Sequence, residues 1–128
     1  MSLLSPGGAA LIKLMGDTPR GPRREGVFAL WLTLRVAEDL LLWPPQPERG
    51  VKRRVIALDR RLSSLSIPAP LRRALVAALA ELNEPRREKA GPVLQLLVAP
   101  AREVLGSEVA DVLGRAARQA ALRAATPS

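Results

Sequence analysis

The chain has 128 residues, 48% hydrophobic and 25% charged, with a formal net charge of +8, which allows one hydrophobic core without disulfide or metal support and is too apolar for a disordered chain. It contains no Cys and no His; that excludes disulfides, thiol catalysis, Cys-ligated zinc and iron–sulfur clusters, and removes the commonest general base and zinc ligand. No cofactor or metal is therefore expected.

The opening Met1-Ser-Leu-Leu-Ser lacks a charged n-region and an apolar h-region, so no secretory signal is read and a cytoplasmic location is expected. Residues 1–26 read as an N-terminal arm and basic linker. Within the arm, Ala9 to Met15 can form one or two helical turns docked on the body. Gly16 to Gly26 carries two prolines, three glycines and Arg20, Arg23 and Arg24, a pattern that predicts an exposed, mobile linker.

Residues 27–124 read as the helical domain. Phe28, Trp31 and Trp43 are its only aromatics, so its core is built from Leu, Val and Ala, which at helical spacing favour helix over sheet. The strongest helix is Val27 to Trp43, with Val27, Leu30, Leu34, Ala37 and Leu41 on one face. Its length of about 25 Å is short of a bilayer's hydrocarbon core, and Arg35, Glu38 and Asp39 oppose insertion. No transmembrane segment is expected.

Three prolines and Gly50 end that helix. Val51, Val55, Leu58, Leu62 and Leu65 then make an amphipathic stripe. After Ser66-Ile-Pro-Ala-Pro70, a helix to about Leu82 buries Leu71, Leu75, Ala78, Leu79 and Leu82. A helix from about Pro92 to Leu105 is expected to kink or break near Pro100. Ser107 is placed to cap a last helix that turns Val109, Val112, Leu113, Ala116, Ala117 and Ala120 inward. The fold class is all-α: a compact bundle of about five short helices with proline-rich connections.

Carboxylates are the only catalytic candidates. Glu38 and Asp39 sit on the most apolar helix, where burial can raise a carboxylate pKa; an Arg35–Asp39 ion pair one turn apart explains them without catalysis. Phosphate-cradling and nucleophile-elbow motifs are absent, and the chain reads as a non-enzyme.

The segment from Arg49 to Arg73 holds eight cations, Arg49, Lys52, Arg53, Arg54, Arg60, Arg61, Arg72 and Arg73, against the single acid Asp59. Arg53 and Arg60 point away from the apolar stripe, and such a ridge can track a phosphate backbone without reading bases. Two bland explanations compete with that role. Arginine is what a GC-rich genome supplies in place of lysine, and some of these cations can pair with Glu81, Glu84 or Glu88.

Phe28, Trp31 and Leu42 form a second candidate site on the charged strip of the first strong helix. Exposed, they mark a surface for a protein partner or a second copy of the chain; otherwise another helix covers them. The reading that follows is a non-enzymatic helical protein–protein interaction or oligomerisation module. Its alternative is a nucleic-acid-associated accessory or regulatory protein that binds phosphates non-specifically through residues 49–73.

Overall fold

The computed structural model describes residues 5–42 and 48–125, with the side chains of Glu48 and Arg49 outside the description. Every regular element among them is helical, in the order α1 (Pro6–Gly16), α2 (Pro22–Asp39), α3 (Glu48–Ser63), α4 (Ala69–Leu82), α5 (Ala90–Leu105) and α6 (Ser107–Ala125), with a short 3-10 turn over Arg87–Lys89. The all-α bundle is as expected, with six helices in place of about five.

The additional helix is α1. Ser5 caps it, its Oγ accepting from the Gly8 amide at 3.0 Å, and Pro6 occupies the first turn, where its missing N–H costs nothing. Its Leu11 is fully buried and joins the common core. The stretch expected to be a linker is correspondingly shorter. Gly21 and Pro22 act as helix-start residues instead of loop punctuation, and α2 begins five residues ahead of Val27.

The α2 stripe is buried as its spacing predicts: Val27, Leu30, Leu34, Ala37 and Leu41 are all inside. The helix stops earlier than Trp43. After Asp39, the amides of Leu40, Leu41 and Leu42 bond back three residues, to Ala37, Glu38 and Asp39, a tightened final turn. Trp43 lies outside the described residues.

Helix α3 buries Val51, Val55, Leu58 and Leu62, and α4 buries Leu71, Leu75, Ala78 and Leu82. The expected break at Pro100 does not occur, since α5 runs unbroken from Ala90 to Leu105. Leu97 and Ala101, one on each side of the proline, are fully buried, so packing holds the helical path. The Leu96 carbonyl loses its donor to Pro100, but Leu96 lies on the exposed face, where solvent can serve that group. Gly106, at φ 99° and ψ 173°, then turns the chain into α6, a conformation open to glycine almost alone.

Helices α5 and α6 form the closest hairpin; α4 packs on α5, α1 on α2 and α6, and α2 on α5. Helix α3 packs on α2 and α4 at the edge of the bundle. That marginal position leaves a groove beside it.

Candidate partner-binding groove

Helices α2 and α3 run antiparallel. Asp39, at the end of α2, pairs with Arg54 early in α3 at 2.8 Å, while Phe28, early in α2, lies under Arg61 near the end of α3. Between these two contacts is an open groove of about 620 Å³ lined by Phe28, Trp31, Leu32, Arg35, Val36 and Asp39 from α2 and Arg54, Ala57, Leu58 and Arg61 from α3. Its floor is apolar and aromatic. Its rims carry three guanidinium groups and one carboxylate.

The aromatic floor is ordered by stacking. Phe28 and Trp31, one turn apart, lie with ring centroids 6.0 Å apart and planes 21° from parallel. Arg35 covers Trp31, its Cζ 5.0 Å from the ring centroid, and Arg61 covers Phe28 at 5.4 Å. Each cation gains from the negative ring face while its N–H groups remain at the edge of the stack. Neither guanidinium has a hydrogen-bond or carboxylate partner among the described residues. The Trp31 Nε1 is buried without a hydrogen-bond partner among the described residues, an arrangement that costs free energy.

The two candidate sites read from sequence therefore meet, but only in part. Phe28 and Trp31 of the apolar patch share the groove with Arg54 and Arg61 of the basic segment. Leu42, 38% exposed, lies outside it. Lys52, Arg53 and Arg60 are exposed on the rest of α3, and Arg73 is exposed on α4. Arg72 turns inward and caps the end of α3, donating to the carbonyls of Leu62 and Leu65. The side chain of Arg49 lies outside the described residues.

The ion pairs expected at Asp39, Glu81 and Glu84 are replaced. Asp39 takes Arg54 in place of Arg35, whose guanidinium lies over Trp31. Glu81 pairs with Lys89 at 3.4 Å, and Glu84 with Lys89 at 3.5 Å and Arg86 at 3.9 Å, so these two acids serve the α4–α5 junction and not the α3 ridge.

Glu38 and Asp39 diverge. A residue step on a helix turns by about 100°, so neighbours face different partners. Glu38 points to α1, accepting from Ser5 Oγ at 2.8 Å, and burial raises its carboxyl above the usual range against the opposing effects of that hydrogen bond and of Arg123. Ser5 thus caps α1 and ties it to α2.

No protein-family model, curated protein or solved structure matches this chain. Among the described residues, no group of three or more acidic side chains is placed to hold a metal ion, and no helix is long and apolar enough to cross a membrane.

Arg35, expected as the ion-pair partner of Asp39, is instead part of the groove. Its spacing of four from Trp31 is a stacking signal on a helix. Ala57 and Leu32 carry no comparable signal, because only the approach of α3 to α2 makes them part of one surface.

Proposed function

We propose that this protein is a non-enzymatic helical interaction module and that the α2–α3 groove is its docking face. The observation that carries the reading is the pair of guanidinium–aromatic stacks, Arg35 on Trp31 and Arg61 on Phe28, in an open groove at the α2–α3 edge of the bundle. Tryptophan and arginine are the residues in which binding energy concentrates at protein interfaces. The absence of Cys and His and the divergence of Glu38 from Asp39 support a non-catalytic role. We place the protein in the cytoplasm, which its lack of cysteine suits.

The test is a partner identified by cross-linking and rebuilt from purified components. Arg35→Glu with Arg61→Glu should abolish the complex, whereas Leu122→Ser, on exposed α6 surface, should preserve it. Equal binding by wild type and the arginine variant would reject the groove.

A second reading rests on Arg53, Arg60 and Arg73, exposed and without an ion pair among the described residues. Three such cations can follow a phosphate backbone, in which case the logarithm of duplex affinity falls with the logarithm of salt at a slope of about −3. No detectable duplex binding at low salt would remove this reading.

A further inference from the structure

We infer that the occupant of the groove is an acidic amphipathic helix of another protein, its apolar strip on Leu32, Ala57 and the edges of the Phe28 and Trp31 rings and carboxylates on both sides of that strip. This rests on the reading of the groove as a docking face and adds the chemistry of the partner.

The first support is charge. Of the four charged side chains lining the groove, Asp39 and Arg54 satisfy each other at 2.8 Å, leaving Arg35 on the α2 wall and Arg61 on the α3 wall without carboxylates among the described residues. Their ring stacks hold both groups in place, so binding loses less side-chain freedom there than at an unsupported arginine. Opposite walls each offer a donor fork, and an occupant must bring an acceptor to each.

The second support is shape. From Phe28 to Asp39 the α2 wall extends about 16 Å at the helical rise, which matches three turns of an occupying helix. Half-buried Leu32 and exposed Ala57 give the groove its accessible apolar surface, and the core residues Val36 and Leu58 also line it. A ridge of apolar side chains fits between two antiparallel helices by the same packing that builds the rest of the bundle.

Other occupants fit less well. A second copy docked groove to groove would bring two more such guanidinium groups, with its groove carboxylate Asp39 already held by Arg54, into an interface between two chains of net charge +8. A nucleic-acid strand would leave Leu32 and Ala57 against phosphates, and the Phe28 and Trp31 faces that a base would need for stacking are covered by each other and by guanidinium groups.

A displayed library of random dodecapeptides selected on the full chain tests this, with parallel selection on the Arg35→Gln/Arg61→Gln variant after circular dichroism has shown it folded. Enriched peptides should be acidic, with apolar residues three and four apart. A synthetic peptide from the pool should lose about tenfold in affinity for each guanidinium removed and a comparable factor when its Glu residues become Gln. Enrichment of uncharged or basic peptides on the wild type, lost with Phe28→Ala, would overturn the acidic partner while sparing the docking groove. Equal pools on wild type and on a variant combining Phe28→Ala with the two arginine changes would overturn both. Tighter binding of a fifteen-nucleotide oligothymidine than of any selected peptide, lost with Arg35→Gln/Arg61→Gln, would transfer the groove to nucleic acid.

Discussion

Gly91 of α5 faces Ala117 of α6 so closely that a β-carbon on Gly91 would stand 3.2 Å from the Ala117 carbonyl oxygen and 3.2 Å from the Ala121 β-carbon. The close α5–α6 hairpin depends on that missing atom. Gly114, on α6 itself, meets only the tip of Arg118 at 3.8 Å.

The two glycines should respond oppositely. Alanine in a helix interior normally gains up to about 1 kcal/mol over glycine, and Gly114→Ala should show most of that gain in urea unfolding. Gly91→Ala should forfeit it, and Gly91→Val should cost about 1–3 kcal/mol by overpacking. Equal gains at both positions would show that the hairpin can widen freely.

Leu34 is fully buried on α2, and its side chain lies within 3.4 Å of where a β-carbon on Gly7 would stand. Leu34→Ala should therefore cost about 2–5 kcal/mol. Ile56→Ala, at a site 54% exposed on α3, should change stability by less than about 0.5 kcal/mol. Denaturant midpoints of the two variants would compare them, and a similar loss in both would contradict the burial of the α2 stripe.

Trp31 Nε1 is buried without a partner among the described residues, so Trp31→Phe removes an unsatisfied donor together with part of a half-buried ring. The donor's desolvation is worth about 1–3 kcal/mol, and it offsets the lost contacts. The net change should fall within about 1 kcal/mol. A loss above about 2 kcal/mol would mean that the indole N–H is hydrogen-bonded in solution.

Glu38 makes stability depend on pH. Burial holds its folded-state pKa above the ordinary 4.5, so between those two values the folded chain keeps a proton that the unfolded chain has released. Its contribution is complete below the unfolded value and is lost as pH rises through the raised folded one. Glu38→Gln carries no such proton, and its stability relative to wild type should climb through that window and level off above it. Urea melts of both proteins from pH 4 to pH 8 would measure the difference, and a constant difference would show that Glu38 titrates normally.

The helical class, the inward stripes on α2, α3, α4 and α6 and the proline turns are legible in the sequence, because repeats of three and four and the effect of proline on its own backbone are local properties. Pro100 shows where locality ends: its cost is intrinsic, but Leu97 and Ala101 are held in the core and carry α5 through it. The start of α2 at Pro22 is also written locally, in a glycine–proline pair that serves a turn or a helix start equally well. The groove is of another kind. Arg61 reaches Phe28 across 33 positions and Arg54 takes Asp39 from Arg35, and both depend on α3 lying antiparallel to α2. Helical spacing says which face of each helix is apolar, but it does not say which helix a given face meets. That choice is made by the packing of the whole bundle, and it divides the basic segment into groove arginines, a helix cap and an exposed ridge.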